Sequence, residues 1–459
     1  MSTRPDGGDP TLPIAVVGGG IAGVTAAAYL RRRGISCVLY ERAPQLAGLA
    51  QSHCDADGFT SDVGAHFVTN RLAAAIGIGA HCRTVRYYGE SVWLNGRAYA
   101  YPFGLLRNVR FAASGVIARL GARTAAPPHS AADIFRAAYG RSLADAVAIP
   151  LLEAWSGVPA SELAPVAAEK LQHGVARTAA LKVAGLVMRR AVTIGFSHEM
   201  PENAHVWHVY PEGGVSRLVE HLANEVRDAV QYDSPVDAVI VRDARVCAVR
   251  VRGRELAVRA VVSTAPVHAL AGLVTGTDAL AYLARFRYRP MIFVSLRLDG
   301  RNLISDTVMW TPERTFPFFR VTDTTRSMPW LAPAGKSMLT VDVGCEVGDA
   351  TWRMPEPDLV ARCLDALEML VPGVRARDLG SARVVRTAIA YPVLLNAYEA
   401  DRQRFVRSPG VAGLSSVGRN GEFAHILMED VYWRTLGAIR RLVDGLDTGH
   451  AEAPTSTPA

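Results

Sequence analysis

Gly18, Gly20 and Gly23 form a GxGxxG between the short β-branched run PIAVV and the small-residue stretch IAGVTAAAYLRRRG. Glycines at this spacing let backbone approach a pyrophosphate, whose negative charge then sits at the positive end of the following helix. The next apolar run, SCVLY, ends in Glu41, eighteen residues after Gly23. A carboxylate there can bind the ribose hydroxyls of an adenosine. Strand, glycine turn, helix, strand and acid in this order predict a dinucleotide site built from Gly18, Gly20, Ile21, Ala22, Gly23 and Glu41.

Two further residues could do chemistry. His66 follows Gly64 in a glycine-bearing loop, and a neutral imidazole exchanges protons near pH 7; an isolated histidine serves as readily in a structural role. Arg320, in FPFFRV, is flanked by aromatics, where an unpaired guanidinium is expensive to bury. The alternation F-F-R-V also admits an outward, solvated arginine.

These residues need elements to hold them. Residues 13–17 read as a buried parallel strand, 21–34 as a helix capped by Gly34, and 36–40 as a second strand. Residues 76–204 read as mainly helical, with Ala- and Leu-rich periodic stretches. Residues 266–384 mix helix with strands such as Met291–Leu298 and Ser337–Val343. Glycines at 213 and 214 mark a turn before an amphipathic helix.

Composition narrows the class. The chain has 459 residues, 49% hydrophobic and 20% charged, enough for two to three structural units. The formal charge of +7 is scattered and gathers into no basic run, so nucleic acid is not an expected partner. Six cysteines without a CxxC pair give no zinc site or disulfide framework, and a reducing, cytoplasmic home is expected. No signal peptide or long apolar run is evident, so a transmembrane segment is not expected. The sequence leaves the oligomeric state open, and residues 447–459 read as a disordered tail.

After Glu41 the chain continues not with further βα units but with Arg42 and ERAPQLAGLAQS, then GFTSDVGAHFV. This GFxxDxGxH continuation resembles the amine oxidase and protoporphyrinogen oxidase superfamily, and especially its branch similar to UDP-galactopyranose mutase. Further segments resemble it: VWLNGRAYAYPF, Val92–Phe103, which resembles the family's hairpin into the substrate domain, EAWSGVPASELAP around Trp155, VYPEGGVSRLVEHL, VVSTAPVHAL, and the closing SSVGRNGEFAHILMED. The resemblance implies an α/β fold: a Rossmann-like, GR2-type FAD-binding domain from 11–75, 205–265 and 385–446, and a mixed α+β substrate-binding domain from 76–204 and 266–384. It implies non-covalent FAD held also by Arg42, Gly48, Gly64, Val236, Gly418, Arg419 and Met428, with the last helix aiming its positive end at the flavin. The family usually carries an arginine after a glycine pair where this chain has Ala47, Gly48, Leu49 and Ala50, so one FAD contact is missing.

The same resemblance places His66 beside the flavin, as acid, base or tuner. It places Arg320 and Tyr391 at the substrate, although core packing explains Tyr391 equally well. His425 and Glu429 stand where mutases show a tyrosine and an amide or Asp, which points to a different substrate. Only Lys170, Lys182 and Lys336 are available for the lysine that many oxygen-using amine oxidases place near flavin N5, and none has a matching context. The leading expectation is an FAD-dependent oxidoreductase taking hydride from a C–H bond of a small polar or anionic substrate. The alternatives are a non-redox sugar mutase and a flavin-free binding protein of the Rab escort kind.

Overall fold

The computed structural model describes residues 9–121, 127–171 and 175–448; most of the expected tail, residues 449–459, lies outside them. A five-stranded parallel sheet runs in the order Val230–Gln231, Cys37–Tyr40, Ile14–Val17, Ala260–Ser263 and Leu414–Ser416. Ile14, Ala15, Val16 and Leu39 are fully buried, as continuous β-branched and aliphatic runs in a sheet covered on both faces must be. Helix Ile21–Arg32 returns over this sheet, packing Val24, Ala26, Ala27 and Leu30 against the long terminal helix Met428–Thr448 and helix Ser216–Ala223. Alanine's small side chain lets these helices approach closely. An α/β fold with a Rossmann-like sheet is thus what the chain forms.

A seven-stranded sheet forms the other large layer. Its order is Arg383–Pro392, Tyr288–Asp299, Lys336–Gly344, Arg320–Asp323, Val308–Trp310, Glu90–Leu94 and Arg97–Ala100, antiparallel except between Val308–Trp310 and Glu90–Leu94. Its last two strands are the expected hairpin, turned by Asn95 and Gly96, both at positive φ. Helices Val109–Gly121, Ala131–Tyr139 and Ile149–Ser156 follow.

One buried carboxylate ties the GFxxDxG ribbon to distant chain. Asp62, at the end of strand Thr60–Asp62, accepts hydrogen bonds from the Ser52 hydroxyl, the Tyr210 hydroxyl and the Val215 amide. The turn Gly213–Gly214 therefore docks on the loop that carries His66. Charge-assisted hydrogen bonds of this kind are stronger than neutral ones.

Candidate functional site at the junction of the two sheets

The glycine turn has the shape of a ligand cradle. At Gly23 a Cβ would collide with the Gly18 carbonyl, whereas at Gly20 it would meet nothing within 4 Å. One glycine serves packing and the other opens space. Gly20 is also the N-cap of helix Ile21–Arg32, which has neither a side-chain cap nor an acid in its first turn. Its amides are left to an outside acceptor. Glu41 closes the turn, accepting from Gly19 N at 2.6 Å and Ala43 N at 2.8 Å. Its carbonyl receives Ser234 N at 2.8 Å, two residues before Val236. Gly48 folds back over the turn, its Cβ position 3.6 Å from Gly20 Cα. Arg42 is exposed.

At the edge of the seven-stranded sheet a second set converges. Trp155 meets the His425 ring edge to face with centroids 4.2 Å apart, and the Tyr391 ring at 4.9 Å; Tyr391 and His425 lie 5.4 Å apart. The Arg419 guanidinium stands over Tyr391 at 5.6 Å while its Nε donates to the Ile426 carbonyl at 3.1 Å. Val63, Phe293 and Phe319 pack into the same cluster with Tyr391 and Trp310. Gly64, at φ 82°, presses on Phe293, which a Cβ would approach to 3.1 Å. The Arg320 guanidinium lies 5.5 Å from the Trp310 ring.

Electrostatics distinguish the two arginines. Burial opposes the charge on Arg320, but Asp342 outweighs it and, with Tyr391 and Tyr88, raises its pKa above the ordinary arginine value. Asp342 is wholly buried and hydrogen-bonded to Arg320 Nη2, so the two are held as an ion pair. Arg419 is largely buried too, yet it forms no ion pair with any described residue. Burial pulls its pKa down, Tyr391 opposes, and Arg320 adds to the fall. An uncompensated buried guanidinium is costly unless a ligand supplies the anion.

His66 sits within the reach of both charges. Burial lowers its pKa; Asp62 and the Val63 carbonyl oppose, and Arg419 and Arg320 push it further down. The ring is therefore neutral at pH 7. Its Nε2 lies 2.9 Å from the Val63 carbonyl, which can only accept, so Nε2 carries the hydrogen and Nδ1 keeps its lone pair.

A cavity of about 390 Å³ opens beside this cluster, lined by Ala154, Glu153, Arg289, Thr311, Phe319 and Gly344. A larger cleft, about 560 Å³, is lined by residues such as His81, Arg83, Arg217 and His221 and shares none with the cluster.

Comparison with known proteins matches this architecture. The NAD(P)-binding Rossmann-like domain family matches residues 16–75, and the flavin containing amine oxidoreductase family matches residues 123–424. The chain belongs to the flavin-containing amine oxidoreductases. A reduced UDP-galactopyranose mutase superimposes with TM-score 0.76 at 19% identity, covering 97% of this chain and 100% of that one. A putative protoporphyrinogen oxidase from Exiguobacterium sp. 255-15 gives 0.72 at 17%, over 96% and 100%. Cyclohexylamine oxidase from Brevibacterium oxydans IH-35A gives 0.71 at 15%, over 95% and 100%. These likenesses show the shared fold. In sequence, 3-amino-4-hydroxybenzoate 2-monooxygenase of Streptomyces cremeus is 54% identical over 41 residues, 9% of this chain and 10% of that enzyme. The chain thus spans a tenth of the length of that relative.

This flavin-containing amine oxidoreductase is an FAD-dependent oxidoreductase, and its residues fit the cofactor: open space at Gly20, an uncapped helix end, and an acid at the turn. Met428 opens the last helix, as the sequence suggests. Two site expectations change. Glu429 is not a free pocket group: its carboxylate accepts from Thr69 Oγ1 at 2.9 Å, Arg71 Nε at 2.6 Å and Trp433 Nε1 at 3.3 Å, an ion pair that docks the last helix. Gly418 stays near the glycine turn, its Cβ position 2.8 Å from Ala22 Cβ, but the Arg419 side chain leaves it for Tyr391. Arg320 faces inward, 12% exposed at its side chain, rather than outward.

Sequence reasoning gave no site role to Asp342, Trp310 or Trp155. Trp155 lies in a quoted motif, and its neighbours on a helix, Leu151 and Ala154, join the same cluster. Asp342 carried a signal in its own strand: an acid inside the apolar run MLTVDVG is expensive unless paired. Of the lysines, Lys336 pairs with Asp299 at 2.7 Å and Lys182 donates to the Tyr101 carbonyl at 2.7 Å; the Lys170 side chain lies outside the described residues.

Proposed function

We propose that this oxidoreductase takes hydride from a C–H bond of a small anionic substrate, seated against Trp155, Tyr391 and His425 and anchored by Arg419. The observation that carries this reading is the buried Arg419 guanidinium with no carboxylate partner, set over Tyr391 and near a neutral His66. An anion in contact with it supplies the missing charge.

Arg320, neutralised by Asp342, orients the substrate and gives it little net charge. Its Nε has no hydrogen-bond partner and remains available as a donor. Trp155 and Tyr391 exclude water from the reacting carbon, and His66 Nδ1 accepts a proton from the N–H or O–H on that carbon as its C–H hydrogen leaves as hydride. When bound, FAD supplies the hydride-accepting ring. Gly18, Gly20, Ile21, Ala22 and Gly23 would hold its pyrophosphate, Glu41 and Val236 its adenosine, and Gly48, Gly64, Gly418 and Met428 its remaining length. Arg42 belongs to this set by resemblance alone. The division into cofactor segments 11–75, 205–265 and 385–446 and substrate segments 76–204 and 266–384 belongs to the same proposal.

The test is the anaerobic visible spectrum of the holoenzyme titrated with anionic amines, porphyrinogens and nucleotide sugars, on wild type and Arg419→Met. Wild type bleaches with an anionic compound, and the variant keeps FAD but needs about tenfold or more of it, the scale of one lost charge-assisted contact. Loss of FAD in Arg419→Met would make Arg419 a cofactor ligand and remove it from the substrate. Isomerisation of a nucleotide sugar by dithionite-reduced enzyme alone would replace the redox reading with the mutase one.

A further inference from the structure

The largest exposed apolar side chains gather on two helices. Val109, Val116, Ile117 and Leu120 are 59–80% exposed on helix Val109–Gly121, and Val183, Leu186 and Val187 are 60–79% exposed on helix Val175–Met188. Their spacing on the first helix, i, i+7, i+8 and i+11, places them on one stripe at roughly 100° per residue, with Arg110 and Arg119 to either side. The opposite face buries Phe111 in the cluster that also holds Val92, Leu105 and Trp310. The stripe is thus the outer side of a helix whose inner side is satisfied.

The second helix is tied to the segment that leads into the first. Lys182 donates to the Tyr101 carbonyl at 2.7 Å and lies 5.6 Å from the centre of the half-exposed Phe103 ring, just ahead of the first helix. Residues 103–121 and 175–190 contain no Asp or Glu, but they contain Arg107, Arg110, Arg119, Arg177, Lys182, Arg189 and Arg190. None of the seven forms an ion pair among the described residues. Apolar side chains on helices that carry basic and no acidic residues match one surface chemistry, an apolar interior under an anionic headgroup layer. A second copy docking face to face would set two basic rims against each other.

We infer that these two helices form a peripheral docking face for an anionic lipid bilayer. Contact is by insertion of side chains into the headgroup boundary, and no helix among the described residues is long and apolar enough to cross a membrane. The inference stands apart from the substrate reading, since none of its residues is placed in the catalytic or cofactor machinery.

The experiment is co-sedimentation of full-length holoenzyme with vesicles of equal parts phosphatidylcholine and phosphatidylglycerol, beside pure phosphatidylcholine vesicles. The mixed vesicles pellet the protein, pure phosphatidylcholine pellets far less, and added salt reverses the difference. Ile117→Asp with Leu120→Asp lowers binding about tenfold or more, as loss of two inserted side chains requires. Arg110→Glu with Arg119→Glu, both at exposed positions without an ion pair among the described residues, lowers it as well. Flavin absorbance and oxidase turnover in detergent-free buffer stay unchanged in both. Equal recovery in the supernatant with both vesicle types overturns the proposal. So does light scattering that shows a dimer dispersed by Leu120→Asp, for then a second copy covers the face.

Discussion

At the glycine turn, the proposed cofactor site, backbone sets the geometry: an uncapped helix end, a Gly20 with open space where a side chain would be, and one carboxylate folded onto the turn itself. Beside the seven-stranded sheet, where we place the substrate, the groups that converge are side chains from remote segments, Trp155, Arg320, Tyr391, Arg419 and His425. The first site is local in sequence and tolerates little change of residue type. The second depends on how charges on different strands compensate one another, as Arg320 and Asp342 do across 22 residues, and one charge, Arg419, is left over. Binding a constant cofactor needs fixed backbone, while choosing a substrate needs groups that can be exchanged without disturbing the frame.

The sharpest way to break the comparison is at two neighbouring glycines. Gly20→Val enters open space at an ordinary φ of −74°, so the fold survives and FAD is lost. The expected protein is colourless with a native circular dichroism spectrum. Gly23→Ala drives a methyl into the Gly18 carbonyl and costs about 1–3 kcal/mol or more of stability by overpacking. If both variants lose FAD and fold alike, the division between cradle and packing glycines fails.

The arginines give the next largest effect. Asp342→Asn strands the Arg320 charge in the interior and lowers unfolding free energy by about 3–5 kcal/mol. Arg419→Met, with no carboxylate partner to strand, leaves the stability of the FAD-loaded protein unchanged or higher. Denaturant melts of the two variants side by side check this, and a matching loss in both would mean that Arg419 is compensated after all.

Acid stability sharpens the contrast between active and inert histidines. His208, fully buried among Phe67, Tyr88 and Phe196, is pushed down to about 3 by burial. A group depressed in the fold takes up its proton more readily when unfolded, so its contribution is whole above the unfolded value of about 6.5 and is lost as pH falls towards 3. His66 is depressed in the same direction. His208→Phe, an apolar ring in an apolar box, therefore flattens the fall of melting temperature between pH 6.5 and 4 without altering turnover. His66→Gln removes turnover first.

The smallest effect tests the loop over the cradle. Ala47 holds φ 88°, a region alanine rarely adopts, where its amide donates to the Gly19 carbonyl at 2.9 Å. Ala47→Gly relieves that strain and raises stability by about 0.5–1 kcal/mol, read as a small rise in melting temperature.

The cofactor side was legible in the sequence because its determinants are consecutive: the run from Ile14 to Glu41 contains strand, turn, helix and acid with little reference to the rest of the chain. The strands around Met291 and Ser337 were legible by pattern, and the hairpin at Val92–Phe103 by resemblance. The substrate side was only half legible. Arg320, Tyr391 and His425 were singled out by motif and remain proposals, whereas the Asp342 that pairs with Arg320 is a cross-strand neighbour, and pairing register does not show in one strand read alone. Glu429 misled for the same reason, since its partner Arg71 lies 358 positions away. The docking face was concealed in an ordinary Ala- and Leu-rich helical stretch, because sequence periodicity shows that a helix has an apolar stripe without showing whether that stripe is covered.

The central claim is that Arg419 presents an uncompensated buried charge to an anionic substrate whose hydride passes to the flavin. Its most direct test is an anaerobic titration of the oxidised holoenzyme with matched pairs of amines, each carboxylate beside its neutral amide, followed at the flavin absorbance maximum. The account predicts bleaching by a carboxylate member, little or none by its amide, and loss of that preference in Arg419→Met with FAD retained. Equal bleaching by both members in wild type, or an unchanged preference in Arg419→Met, would contradict it.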